Sequence, residues 1–225
     1  MLGLVPRPGV VTENRIEFDE GDLSNLSPRQ CRQYRGRRIS MVMQDPKYSL
    51  NLVKKIGAQF METYTLHRRG AAGYARRRAL EMLESVRVRD FNLVFGANPH
   101  QRSGGMGQRA MIAMMLIAEP DLLIADEPTS ALDVTVKNQV LRILADLVAQ
   151  RRLALIFISH NLTVVSGFCD RVLVMYAGRI VEECDAKRLN SARHSYTQAL
   201  VAAVPAIDDP RVELSTFQRD PAWLA

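Results

Sequence analysis

Apolar positions along this chain alternate between two rhythms. Ile39–Met43 (ISMVM), Asp121–Ala125 (DLLIA), Leu153–Ile158 (LALIFI) and Arg171–Tyr176 (RVLVMY) are short, nearly continuous apolar runs. Runs of that length predict strands covered on both faces. Between them the period lengthens. Ala79, Leu80, Leu83 and Val86 recur at helical spacing, as do Val136, Val140, Ile143, Leu144 and Leu147, and Met106–Ile117 reads as a further helix. Ser27-Pro28-Arg29-Gln30 has the form of a helix start, with Ser27 as cap, Pro28 in the first turn and Gln30 reaching back. Shorter signals are a strand at Arg15–Phe18, a short helix after His160, and a turn at Gly178 leading into Arg179–Val181. Strands separated by helices predict an α/β fold: a partial, mostly parallel sheet with flanking helices on both faces. The charged stretch at about residues 50–100 predicts an inserted helical subdomain.

Composition narrows the class. The chain has 225 residues, 47% hydrophobic and 24% charged, which is ordinary globular content. Its longest wholly apolar run, Ala110–Ala118, has nine residues, against the ~20 that a membrane-spanning helix needs. The opening MLGLVPRPGVV has no basic start, and prolines interrupt its apolar stretch, so it does not read as a signal peptide. Cys31, Cys169 and Cys184 are odd in number and lack metal-ligand spacing, which reads as reduced thiols of a cytosolic protein. The net charge of +6 fits a solvated surface, a nucleic acid, an anionic membrane or nucleotide phosphates.

Four local patterns carry candidate chemistry. In Leu122–Glu127 an apolar strand runs into two carboxylates, at the sheet edge where α/β proteins bind ligands. Asp126 there suits Mg²⁺, and Glu127 suits polarising a water for phosphoryl transfer. In Ser103-Gly104-Gly105-Met106-Gly107-Gln108-Arg109, glycines and a hydroxyl open a helix whose free N–H groups favour phosphate. His160 follows an apolar run and is able to donate to a phosphate or orient a water. Gln44 ends another such run and is able to ligate Mg²⁺. Each pattern alone also fits a plain strand end or helix cap.

Their order is more telling. Over about Arg15 to Pro205 the chain resembles the nucleotide-binding subunit of an ATP-binding cassette (ABC) transporter. Gln44 matches the Q-loop, SGGMGQR the signature motif, Leu122–Glu127 the Walker B segment, Ser130-Ala131-Leu132-Asp133 the D-loop, and His160 the switch histidine. The resemblance implies a P-loop-NTPase-like domain over residues 1–205, followed by a divergent tail at 206–225. It implies Glu127 and His160 as catalytic residues, and Gln44, Ser103, Gly104, Gly105, Gln108 and Asp133 as nucleotide-binding residues. Asp126 and Gln44 would serve Mg²⁺, with ATP as the nucleotide. QDPKYSLN and Arg193–Leu200 (RHSYTQAL) resemble the peptide and nickel importers. That group implies a second ABC ATPase subunit, as a homo- or heterodimer, two integral-membrane permease subunits, and indirectly an extracytoplasmic solute-binding protein. The place implied is the cytoplasmic face of the bacterial inner membrane.

Departures from the pattern matter as well. No Gly-x-x-x-x-Gly-Lys-Ser/Thr occurs here, and none of the five lysines (Lys47, Lys54, Lys55, Lys137, Lys187) follows a glycine. By resemblance the phosphate loop is expected upstream of Met1, so this stretch by itself is expected to bind ATP weakly and to leave core surface exposed. Arg102 stands where the signature usually has Leu, and the tail has no Cys after Cys184. One alternative is a catalytically impaired subunit that only caps the nucleotide of its partner and contacts the membrane subunits. A DNA-associated ABC ATPase is a remote alternative; its coiled coil does not fit the short lobe, and no nucleic acid is expected.

Overall fold

The computed structural model describes residues 3–5, 8–24, 26–44, 49–68, 71–101, 103–130, 132–204, 220 and 223. Arg102, Ala131, residues 45–48 of QDPKYSLN and all of the tail 206–225 except Asp220 and Trp223 lie outside them. The chain divides into two compact units, Met1–Ile158 and Ser159–Ala225.

The first unit is built on a parallel sheet of β3 (Ile39–Val42), β4 (Leu122–Asp126) and β5 (Ala154–Ile158), in that order. A register pairing Ile39 with Leu122 and Leu122 with Ala154 sets the two faces. Val42, Leu123 and Ala125 lie on one face and are fully buried. Helix α5 (Gly104–Leu116) packs on that side against β3 and against α6 (Val134–Arg151). Of the apolar stripe predicted for α6, Val140, Ile143, Leu144 and Leu147 are buried and Val136 is half-buried.

A hairpin of β1 (Glu17–Phe18) and β2 (Gly21–Asp22) and helix α1 (Pro28–Tyr34) cover the other face near β3. Leu23 packs there with Ile39 and Leu122, beside Phe18 and Tyr34. The predicted capping box starts α1: the Gln30 N–H donates to Ser27 Oγ over 3.4 Å, and the Ser27 N–H donates to Gln30 Oε1 over 2.9 Å. Arg38 pairs with Asp121 and, over 2.8 Å, with Asp19, tying the hairpin to the start of β4.

One expectation needs correcting. β5 is an edge strand and is not covered on both faces: Ile156 and Ile158 are 41% and 46% exposed. The hairpin and α1 cover the β3 side of that face, and among the described residues no strand pairs with the outer edge of β5.

The inserted subdomain is helical, as predicted: α2 (Ile56–His67), α3 (Ala72–Ser85) and α4 (Phe91–Gly96). Its own core includes Ile56, Phe60, Tyr64, Ala75, Ala79, Met82, Leu83 and Val94.

The second unit begins with α7 (Leu162–Phe168), capped by Asn161. β6 (Arg171–Tyr176) and β7 (Arg179–Asp185) form an antiparallel sheet of their own, where the sequence reading had placed a further strand of one main sheet. Ala177 and Gly178, both at positive φ (47° and 81°), make the tight turn that the right-handed twist of a hairpin favours. A 3₁₀ turn (Ala186–Ser191) leads to α8 (Ser195–Ala202). Trp223 is buried against Tyr176 and Tyr196, with ring centroids 5.3 and 5.1 Å away.

Candidate functional site

Parallel strands end at one edge, so the polar residues that follow β3 and β4 meet there. Asp126 closes β4 half-buried. Glu127 then turns the chain at φ 43°, a left-handed conformation that costs a non-glycine residue about 1 kcal/mol or more. The turn is fastened on both sides. The Glu127 N–H donates to the Ile158 carbonyl over 3.0 Å, and its carbonyl accepts from the N–H and the hydroxyl of Ser130, each over 3.2 Å. Gln44, two residues past β3, donates from Nε2 to Glu127 Oε2 over 3.5 Å, the long limit of a hydrogen bond. Gln44 and Glu127, 83 positions apart in sequence, are therefore neighbours, with Asp126 beside them.

The second group sits on two helix starts. Ser103 caps α5 with extended backbone, and its carbonyl accepts from Met106 and Gly107, each over 3.0 Å, while its hydroxyl makes no capping bond. The two glycines after it have different reasons. A Cβ on Gly105 would overlap Cγ1 of Val136, so glycine lets the first turn of α5 approach α6. A Cβ on Gly104 would meet nothing within 4 Å, so no packing among the described residues requires glycine there. Asp133 caps α6, accepting from the Val136 N–H over 3.0 Å. Two helix N-termini, each a source of partial positive charge, thus lie side by side.

Gln108 departs from its expected place. It is only 1% exposed, on the face of α5 turned into the core, and its Nε2 is buried. The structure therefore separates it from Ser103 and Gly104, which are exposed. The sequence reading passed over its neighbour Arg109 as a separate residue. Arg109 donates to the Arg87 carbonyl over 3.2 Å and to Gln139 Oε1 over 2.8 Å, holding α5 to the helical subdomain and to α6. Its place in the SGGMGQR run was the available signal. His160 follows β5 by two positions and is described with the second unit, where Ser159 Oγ accepts from the Asn161 N–H over 3.1 Å.

The donor set suits a hard cation only in part. Gln44, Asp126 and Glu127 offer oxygen ligands, and no group of three or more His, Cys, Asp or Glu side chains able to hold a metal occurs among the described residues. That fits Mg²⁺, which takes one or two protein oxygens and completes its shell with water and phosphate, better than a cation needing a full protein cage.

Residues 2–130 match the family described as ABC transporter. The chain belongs to the ABC transporter family. It is 40% identical over 218 residues to the dipeptide transport ATP-binding protein DppD of Escherichia coli, an alignment covering 96% of this chain and 67% of that protein. It is 46% identical over 207 residues to a probable peptide ABC transporter ATP-binding protein, y4tR, of Sinorhizobium fredii (91% and 62%). It is also 41% identical over 222 residues to the oligopeptide transport ATP-binding protein OppD of Haemophilus influenzae (98% and 68%). The chain thus spans about two thirds of the length of these relatives. Among solved structures, the dimeric ABC transporter cassette MJ0796 is 25% identical with a TM-score of 0.69, covering 78% of this chain and 74% of that one. CbiO1 of Clostridium perfringens, part of an ABC transporter complex, is 25% identical with a TM-score of 0.67, covering 79% and 68%. ATP binding belongs to the family, and the fold is that of its ATPase cassettes. No helix among the described residues of this family member is long and apolar enough to cross a membrane.

Proposed function

We propose that this chain works as the ATP-binding subunit of a peptide importer, paired with a second such subunit at the cytoplasmic face of the inner membrane. The support is the set of dipeptide and oligopeptide relatives, and the joining of Gln44 to Glu127 at the sheet edge carries the catalytic reading. Two permease subunits dock on the helical subdomain and the Gln44 edge, and a solute-binding protein outside delivers the peptide or, alternatively, nickel.

Each residue group has its own task. The Glu127 carboxylate takes a proton from the water that attacks the terminal phosphorus of ATP. The Gln44 amide, 3.5 Å away, holds that carboxylate in orientation. Asp126 and Gln44 are the residues that hold Mg²⁺, which when bound neutralises charge on the phosphate oxygens. His160 donates to the terminal phosphate. Ser103 and Gly104 cap a nucleotide held by the companion subunit: a hydroxyl that makes no capping bond, open space at Gly104 among the described residues and the N-terminal charge of α5 suit a phosphate. Asp133 holds the start of α6 beside that cap.

A second reading is a subunit that caps and docks but does not hydrolyse. Glu127→Gln in the assembled transporter separates the two. Loss of a general base lowers turnover by about 10²-fold or more at the site it serves. With hydrolysis at this subunit, peptide-driven ATP turnover falls steeply. Unchanged turnover overturns that role and leaves the capping one.

A further inference from the structure

Three ties join the stretch that follows Gln44 to the stretch that precedes Ser103. The Ile56 N–H, at the first residue of α2, donates to the Ala97 carbonyl at the end of α4 over 2.9 Å, and both residues are buried. Gly57 lets the two helices close on each other, because a Cβ there would overlap the Phe95 ring. The third tie is a side chain. His100, in the short 3₁₀ turn Pro99–Gln101, bonds through Nδ1 to the Leu52 carbonyl over 3.0 Å. A carbonyl only accepts, so Nδ1 is the protonated nitrogen. The turn itself is stiffened at its entry, where the Asn98 N–H donates to Gln101 Oε1 over 3.1 Å.

We infer that His100 is a positioning residue that couples the segment after Gln44 to the loop presenting Ser103 and Gly104. The inference rests on the capping role proposed above. Ser103 lies three residues beyond His100, so a shift of the 50–57 segment is felt at the start of α5 through this bond. The backbone tie at Ile56 is sheltered and fixes α2 to α4. The imidazole reaches from the turn next to the cap to the Leu52 carbonyl, and is the element that a substitution removes cleanly. In this role His100 acts through the capping loop.

The arrangement sets which kinetic constant responds. ATP is first bound by the companion's phosphate loop, which His100 does not touch, so KM for ATP stays within about twofold. Closure over that nucleotide depends on the cap, so kcat falls. The test is ATP turnover by the complete transporter with Mg·ATP, comparing wild type, His100→Leu and His100→Asn. The Asn amide places a donor where Nδ1–H stands. The expected result is a two- to tenfold loss of kcat in His100→Leu, the range of one hydrogen bond. KM stays within about twofold, the melting temperature falls by no more than about 4 °C, and most of the rate returns in His100→Asn. Wild-type kcat in His100→Leu overturns the inference, as does an equal loss in both variants. If His100→Leu fails to fold, His100→Phe, which keeps a ring without the donor, must show the same split. Gly104→Asp distinguishes the two levels. If it leaves turnover unchanged, the capping role itself fails; if it abolishes turnover while His100→Leu has no effect, only the coupling fails.

Discussion

Gly104 and Gly105 look interchangeable in sequence, and their surroundings separate them. Gly105 faces Val136, so a methyl group there forces the starts of α5 and α6 apart. Overpacking of that kind costs about 1–3 kcal/mol, more than the gain of up to ~1 kcal/mol from replacing glycine by alanine in a helix. Gly105→Ala is therefore expected to lower the melting temperature, and Gly105→Ala with Val136→Ala to recover part of it. Gly104→Ala has open space to enter and is expected to melt at or above wild type. Thermal denaturation of the three variants checks this, and equal losses at both glycines would refute it. The same distinction explains why Gln108 was misplaced from sequence. Motif order places a residue near a site, but helix phase decides whether it faces out. In α5 the fifth residue turns inward.

At the level of elements, two ionisable groups make stability decline on acidification in two separate pH windows. His67, in the last turn of α2, lies against Gly36, which has φ 71° and no room for a Cβ beside the ring. Burial holds the His67 pKa below its ordinary 6.5. The unfolded chain then binds a proton more readily than the folded one, so stability is full above pH 6.5 and declines as the pH falls below it. Glu182 on β7 acts in the same direction at lower pH. Burial raises its pKa, but the Thr197 hydroxyl, the Arg193 and His194 N–H groups and the His194 charge together hold it below its ordinary 4.5. Its contribution to the α8 junction is present above pH 4.5 and lost as the pH falls through the lowered value. Denaturation between pH 3 and 8 is expected to show a decline below about 6.5 that His67→Gln flattens. A second decline below about 4.5 is expected to weaken in Glu182→Gln. Unaltered profiles in both variants would contradict these assignments. The element boundaries themselves were largely legible: the Ser27 capping box, the Val140–Leu147 stripe and the ISMVM strand stand where periodicity and cap chemistry put them. The pairing of β6 with β7 was not, because an apolar run states that a strand is buried but not which strand it joins.

For the whole molecule, the apolar pattern of β5 exceeds the cover that the described residues give it. LALIFI has the composition of a strand covered on both faces, yet its Ile156 and Ile158 side chains are exposed at a sheet edge. Apolar patterning reports the surroundings a strand has been selected for, while the structure reports those that the described residues supply. The sheet edge that carries Gln44, Asp126 and Glu127 was legible as an ordered set of motifs, and the structure adds the contact of Gln44 with Glu127 and the uneven surroundings of the glycine pair. The central claim is that the start of α5 closes on a nucleotide held by a companion subunit. Sedimentation of this chain with that companion, with and without a non-hydrolysable ATP analogue, tests it directly when wild type is compared with Gly104→Asp. An acidic residue in the first turn suits the helix dipole, so folding is preserved while a phosphate is repelled. The expected result is nucleotide-dependent association of the wild type that weakens at least about tenfold in Gly104→Asp, the equivalent of ~1.4 kcal/mol. Equal association of both proteins, or association indifferent to nucleotide, would contradict it.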